Sequence, residues 1–229
     1  ATAPPHKKSL RNPIMFFLLN MLSFYHFEKL FERMMYNLYM DIRKYIADYK
    51  PYNEQEANDQ KQMLKWIDTG LDLFTRENGM AHFTSSAWVC DQSHQHILMA
   101  YHNIYQSYSW LGGHNDGDQD FKHVACKEVK EESGVEHLKL LSDDIFSLEI
   151  LTVDGHIKHG VYVPGHLHLN LTYVFEADRN DPVFVKEDEN SAVNWFTKQE
   201  AIEKSSEEWF RTHIYNKLNE KLELLDQKK

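Results

Sequence analysis

The stretch Q-D-F-K-H-V-A-C-K-E-V-K-E-E-S, from Gln119 to Ser133, predicts a helix with an unusual distribution of acidic side chains. In a helix that advances about 100° per residue, its apolar side chains and three of its acids fall within one arc of roughly 160°. That arc holds Phe121, Val124, Ala125, Glu128, Val129, Glu131 and Glu132. The opposite face holds Lys122, His123, Cys126, Lys130 and Ser133. Because a buried carboxylate without a partner costs several kcal/mol, acids on the core side predict a bound cation.

The alternative for these acids is a solvated face, with Lys127 and Lys130 pairing at helical spacing. The segment before the helix favours a site instead. W-L-G-G-H-N-D-G-D, from Trp110 to Asp118, indicates a strand end that runs into a loop rich in glycine and aspartate. In that loop Asp116 and Asp118 are predicted as turn and N-cap residues rather than ligands.

The spacing across loop and helix resembles the Nudix box, G-x5-E-x7-R-E-U-x-E-E-x-G-U, in which U is a bulky aliphatic residue. The matching positions are Gly113, Gln119, Lys127, Glu128, Val129, Glu131, Glu132, Gly134 and Val135. The resemblance extends over roughly residues 83–196. The context G-G-H-N-D-G-D is similar to that of a subgroup of bacterial Nudix-domain proteins. Two positions depart from the pattern, because Gln119 stands where the family has Glu and Lys127 where it has Arg. The box is therefore slightly degenerate, which puts metal affinity or activity in doubt.

The resemblance implies an α/β (α+β) fold, in which helices sandwich a mixed β-sheet. It also implies a pyrophosphohydrolase that cleaves a diphosphate linkage in a nucleoside diphosphate joined to another moiety. Glu128, Glu131 and Glu132 would hold Mg²⁺ or Mn²⁺, and the backbone carbonyl of Gly113 is an expected further ligand. Glu131 and Glu132 are also the expected catalytic carboxylates.

Two further groups of residues are candidates besides the box carboxylates. Glu189, in the stretch E-D-E before a predicted strand, is the expected general base. His166 and His168 alternate onto one face of a strand, and with His114 they are candidates for contacting phosphate or metal. The alternative for each histidine is a structural residue, and for Glu189 a solvated acidic loop.

Composition limits the class of partner. The 229 residues are 42% hydrophobic and 26% charged, which is typical of a soluble globular protein. A formal net charge of -10 without a basic run argues against a nucleic-acid polymer as partner, so the expected partner is a small-molecule diphosphate. Two cysteines, Cys90 and Cys126, form neither a disulfide framework nor a zinc motif, which fits a cytoplasmic protein.

The chain is predicted to consist of an N-terminal helical segment, residues 1–69, and a Nudix domain, residues 70–229. Apolar spacing predicts helices at 35–49 and 54–67, forming an arm that walls the substrate pocket or makes a homodimer contact. The apolar run 14–24 is too short to span a membrane. Strands are predicted at 82–90, 96–101, 145–153, 157–163, 168–176 and 192–196, and helices at 198–204 and 207–225.

Two other functions compete with hydrolysis. A Nudix-fold binding or sensing module with little activity would account for Gln119 and Lys127. An isomerase of the isopentenyl-diphosphate type would need a reactive cysteine, but Cys126 is predicted on the outer face of the helix and Cys90 on an early strand.

Overall fold

The computed structural model describes residues 41–158, 160–185 and 190–227. Residues 41–48 are helical, and four complete α-helices follow: α1 (Glu54–Asp68), α2 (Phe121–Ser133), α3 (Lys198–Lys204) and α4 (Asn216–Asp226). A π-helix at Phe210–Tyr215 leads directly into α4. Residues 35–40 of the predicted helix at 35–49 lie outside the described residues. The chain divides into two compact units, residues 1–45 and 46–229, and the sheet lies in the second.

Ten strands follow one another along the second unit. They are β1 (Ala81–Asp91), β2 (His96–His102), β3 (Ser107–Ser109), β4 (Leu111–His114), β5 (Lys139–Leu140), β6 (Ser147–Val153), β7 (His156–Lys158), β8 (Val161–Val163), β9 (His166–Ala177) and β10 (Asn190–Thr197). Eight of them form one mixed sheet along the path β10-β2-β1-β9-β5, with β3, β4 and β6 pairing with β2, β1 and β9. β1 and β9 run parallel over eleven residue pairs, from Ala81 opposite Leu167 to Asp91 opposite Ala177. The predicted mixed α+β class is confirmed.

Helix α2 has a defined start and end. The Asp120 side chain accepts a hydrogen bond from the backbone N–H of His123, which satisfies one of the unpaired donors of the first turn. At the other end Gly134 adopts a left-handed conformation, with φ of 73°, and its N–H bonds to the carbonyl of Lys130. The predicted helix is confirmed within two residues at its start.

Alternate side chains of β1 serve the two faces of the sheet. Phe83 packs edge-on against Phe121, so odd-numbered positions face α2. Trp88 stacks on Tyr215 with ring centroids 5.2 Å apart, so even-numbered positions face the C-terminal helices. The apolar core therefore has one layer on each side of β1. We call the first side the α2 face and the other the C-terminal face.

A buried ionic network ties α1 to α4 across the C-terminal face. The Lys217 Nζ lies 2.9 Å from Glu149 Oε1 and 3.2 Å from Glu56 Oε1, and the Lys221 Nζ lies 2.9 Å from Glu56 Oε1. Burial alone would raise the pKa of Glu56, but Lys221 and Lys217 outweigh it and lower the pKa to about 2. Helix α1 is thus bound to the sheet domain through charge. The domain boundary at residue 69 remains a prediction.

Several predicted elements differ in detail. The predicted strand at 157–163 is instead the hairpin β7-β8, because Gly160 turns the chain with φ of 78°. The predicted helix at 207–225 is split by the π-helix. Ser133, predicted on the outer face of α2, is buried, and its hydroxyl donates to the carbonyl of Val129. Among the described residues, no helix has the length and apolar character to cross a membrane.

Candidate active site

The three acids of α2 differ in exposure. Glu132 is buried, Glu128 has a side chain 13% exposed, and Glu131 has one 42% exposed. The inward direction predicted from helical spacing therefore holds fully for Glu132 and nearly so for Glu128. Glu131 lies at the edge of the arc and reaches solvent. The acids thus form a gradient from the core to the surface of the molecule.

Glu132 is held between two strands of the sheet. Its Oε2 accepts a hydrogen bond from the backbone N–H of Gly112 in β4 at 2.9 Å, and its Oε1 accepts one from the Asn190 amide nitrogen at 3.1 Å. Asn190 begins β10 and is buried. Its own Oδ1 has no hydrogen-bond partner among the described residues. Such a buried orphan oxygen needs a compensating ligand, and an amide oxygen suits a hard cation.

Gly113 leaves the space that the Glu128 carboxyl group fills. A Cβ built on Gly113 would lie 2.6 Å from Glu128 Cδ, 2.7 Å from Oε2 and 2.9 Å from Oε1, closer than any real contact. The neighbouring Gly112 meets backbone instead, since its Cβ would lie 2.6 Å from the carbonyl oxygen of Ser85. The Gly-Gly pair therefore lets β4 lie directly against β1 on one side and the acidic side of α2 on the other.

One lysine lies between two of the acids. The Lys127 Nζ is 3.5 Å from Glu128 Oε1 and 3.6 Å from Glu131 Oε1. This is the pairing that a solvated acidic helix would show, and it coexists with the buried Glu132. Gln119 is exposed and precedes the N-cap residue Asp120.

The loop between β4 and α2 is fixed by its own polar side chains. Asp116 has a φ of 47° and pairs through both carboxylate oxygens with Arg76. Asp118 accepts from the backbone N–H of Asp120 and lies 2.8 Å from His123 Nδ1. Both aspartates thus occupy turn positions, as predicted, whereas the N-cap residue of α2 is Asp120 and not Asp118.

The predicted histidines lie on the C-terminal face of the sheet. His114, His166 and His168 are grouped there with His82, and their ligand nitrogens all lie within 4.8 Å of one another. Burial lowers the pKa of His114 to about 3 and that of His168 to about 2, with the neighbouring imidazoles acting in the same direction. The sequence analysis missed His82, which is separated by 86 residues from its strand partner His168.

Glu189, the predicted general base, lies outside the described residues. The residue after it, Asn190, contacts Glu132 and was missed by the sequence analysis. The sequence signal for Asn190 was its position two residues before a predicted strand, directly after the acidic stretch.

Cys90 does not provide a reactive thiolate. Cys90 is buried in the apolar cluster, and burial, followed by the charge of Glu176, raises the pKa of its thiol to about 12. Its Sγ donates to the carbonyl of Phe175. Cys126 is half-buried on α2.

No protein-family model and no curated protein sequence matches this chain. Solved structures with a similar course of the chain include two of the Caenorhabditis elegans Ap4A hydrolase. One of them, a binary complex, is 15% identical, covers 64% of this chain and 98% of its own, and has a TM-score of 0.47. The other is 15% identical, covers 62% and 96%, and has a TM-score of 0.43.

A third similar structure is a NUDIX-family hydrolase from Clostridium perfringens, which is 19% identical over 65% of this chain and 98% of its own, with a TM-score of 0.40. All three TM-scores are below 0.5, so the function must be inferred from the residues of this chain.

Proposed function

We propose that this protein is a metal-dependent hydrolase that cleaves the diphosphate linkage of a small molecule, a nucleoside diphosphate joined to another moiety. The observation that carries this proposal is that two carboxylates of α2 lie directly against the two glycines of β4. Glu128 occupies the space over Gly113, and Glu132 accepts from Gly112. A helix that only needed to pack would place apolar side chains there.

The residues fit a hard divalent cation. Glu128, Glu131 and Glu132 offer carboxylate oxygens, and Asn190 offers an amide oxygen that has no hydrogen-bond partner among the described residues. Lys127 lies 3.5 Å from Glu128 and 3.6 Å from Glu131, and Mg²⁺ or Mn²⁺ bound by the three carboxylates would add to this compensation of their charge. The carbonyl of Gly113 remains a proposed further ligand.

The proposed reaction is attack of water on a phosphorus atom, with rupture of the bridging P–O bond and release of two phosphate-bearing products. The bound metal would neutralise charge on the phosphate oxygens, which is the main requirement of phosphoryl transfer. Glu132 is held rigidly by its two hydrogen bonds and orients the site. Glu131 is the most exposed of the three acids and can accept the proton that the attacking water loses. Glu189, the general base predicted from the sequence, lies outside the described residues and is the other candidate for accepting this proton.

The test is a screen of the purified chain with Mg²⁺ or Mn²⁺ against nucleoside diphosphate-sugars, dinucleotides, oxidised nucleotides and coenzyme-type diphosphates. Released phosphate and product masses are the readout. We expect metal-dependent cleavage of at least one class, with loss in Glu132→Gln. His137→Gln is a matched control, because its side chain is 89% exposed and is not among the proposed ligands. No turnover across the panel, in either metal, would overturn the proposal.

A binding or sensing module is the second candidate function, and the contacts of Lys127 favour it. The ammonium group already lies near Glu128 and Glu131, so an internal cation compensates part of the charge that a metal would balance. Gln119 also removes one carboxylate relative to the Nudix pattern. Ligand binding measured by calorimetry without any product formation would identify this function.

A further inference from the structure

A cluster of four histidines lies on the C-terminal face of the sheet, across β1 from α2. His82 comes from β1, His114 from the end of β4, and His166 and His168 from the start of β9. Strand pairing brings them together, because His82 lies opposite His168 and His114 lies opposite Thr84. Ring centroids are 4.8 Å apart for His114 and His168, and 4.9 Å apart for His82 and His166.

Backbone carbonyls fix the tautomers of two of these rings. The Nδ1–H of His82 donates to the carbonyl of Asn78 at 3.1 Å, and that of His166 donates to the carbonyl of Pro164 at 2.9 Å. Both rings therefore direct an Nε2 lone pair into the cluster. This is the arrangement by which a protein orients histidines that bind metal.

The cluster contains a buried lone pair that lacks a proton donor. His82 is 4% exposed, and its Nε2 has no hydrogen-bond partner among the described residues. His166 Nε2 lies 3.1 Å from His168 Nε2. Because the proton of the His166 ring is on its Nδ1, the hydrogen bond between the two rings uses the proton of His168. A buried acceptor left in this state is unfavourable, and a cation would satisfy it.

The spacing also suits one ion. In a tetrahedral zinc site with Zn–N bonds of about 2.05 Å, ligand nitrogens lie about 3.3 Å apart. The pair His166 and His168 is already at 3.1 Å, and the other nitrogens lie within 4.8 Å. Small side-chain rotations would close the rest of the set.

We propose that His82, His114, His166 and His168 bind a divalent transition-metal ion of the Zn²⁺ type, at a site separate from the carboxylates of α2. Neutral imidazoles favour Zn²⁺, Ni²⁺ or Co²⁺ over Mg²⁺, whereas the carboxylates of α2 have the opposite preference. The alternating side chains of β1 place the two groups on different faces of the sheet. The ion links β4, β1 and β9, and it holds the end of β4 from which the loop to α2 departs.

The test uses the full chain, stripped of metal by a chelator and then dialysed. Calorimetric titration with Zn²⁺ and visible absorption with Co²⁺ measure binding directly and need no substrate. We expect one equivalent of Zn²⁺, the absorption of tetrahedral Co²⁺, and no displacement by excess Mg²⁺. His168→Gln and His166→Gln should each weaken Zn²⁺ binding by at least about 10- to 100-fold.

Two controls separate this site from the proposed active site. His137→Gln should bind Zn²⁺ like the parent chain, and Glu132→Gln should keep the full equivalent of Zn²⁺ even if turnover is lost. Circular dichroism confirms that each variant is folded, and the half-exposed His166 provides a variant that leaves the buried His82 in place. Absence of stoichiometric Zn²⁺ binding in the parent chain, or unchanged affinity in both folded histidine variants, would overturn the inference.

Discussion

The carboxylate of Glu132 and the backbone N–H of Gly112 form a hydrogen bond of 2.9 Å, which joins the last turn of α2 to β4. The same carboxylate accepts from Asn190, so one acid connects a helix with two strands. A side chain in that position has two separable roles. It stabilises the structure by accepting hydrogen bonds, which an uncharged side chain could also do. It supports the proposed chemistry through its negative charge.

Glu132→Gln separates these roles. The amide oxygen of the new side chain can still accept from Gly112, and the Asn190 amide can turn its unpartnered oxygen toward the new NH₂ group. We expect a folded protein that loses metal-dependent turnover by at least about 10- to 100-fold. Glu132→Ala, in contrast, leaves buried donors unpaired and should lower the free energy of unfolding by about 1–3 kcal/mol. Near-normal turnover of Glu132→Gln at limiting Mg²⁺ would remove this residue from the ligand set.

Gly113→Ala tests the close approach of α2 to β4. The added methyl group would displace the Glu128 carboxyl group, and we expect turnover or Mg²⁺ affinity to fall by about 10- to 100-fold. Gly79→Ala is the matched control, because nothing lies within 4 Å of its Cβ and its φ is not positive. Mg²⁺ titrations of activity measure both variants. Equal behaviour of the two would show that the position of Glu128 does not matter to the reaction.

Gln119→Glu restores the charge found in the Nudix pattern. Gln119 is exposed, so the added carboxylate would act through water. Coulomb attraction to a divalent cation about 8–15 Å away in water predicts a roughly two- to sixfold lower Mg²⁺ concentration for half-maximal activity. An identical metal titration would mean that position 119 has no influence on the site.

Lys217→Met tests the buried network of α1 and α4. Removal of one buried cation leaves Glu149 and Glu56 with less compensation and should cost about 3–5 kcal/mol of unfolding free energy. The double variant Glu149→Gln, Lys217→Met should recover part of the loss. Lys122→Met removes an exposed pair with Asp143 and should cost less than about 1 kcal/mol. Urea unfolding gives all values, and similar costs for the Lys217 and Lys122 variants would contradict the interpretation.

The same network predicts an acid limit of stability. The pKa of Glu56 is about 2 in the folded chain, below its ordinary value of 4.5. The unfolded chain therefore binds the proton more readily, and the contribution of Glu56 is full above pH 4.5 and is lost as the pH falls toward 2. Glu56→Gln should be less stable than the parent chain at pH 6, and the difference should shrink on acidification. A difference that stays constant from pH 6 to pH 3 would exclude this linkage.

Local sequence signals predicted much of the fold. The apolar spacing predicted α2 and α1, and α3 was predicted at its observed bounds. The exposure of Glu131 was not predicted. Helical spacing shows which side chains share a face, but it does not show how far the neighbouring strand covers that face. The short strands β3 and β5 were also missed, because three and two residues carry no detectable period.

Groups that depend on distant pairing could not be found in one sequence. His82 joins the other histidines only because β1 lies parallel to β9, and no local pattern specifies that register. Asn190 reaches Glu132 for a similar reason, since β10 must first pair with β2. The network of Glu56 with Lys217 and Lys221 spans the length of the chain, and burial of these charges overrides the usual expectation that lysines stay outside.

Strand β1 makes the two candidate sites mutually dependent. Its even positions carry His82, and its odd positions include Ser85, which pairs with Gly113. A one-residue shift of this strand against β9 would exchange the two sets of side chains between the faces of the sheet. A single insertion within β1 would therefore disable both sites at once, whereas the loop from Asp91 to His96 can change length without moving either. In a series of single-residue insertions along this strand, both sites would therefore be lost together.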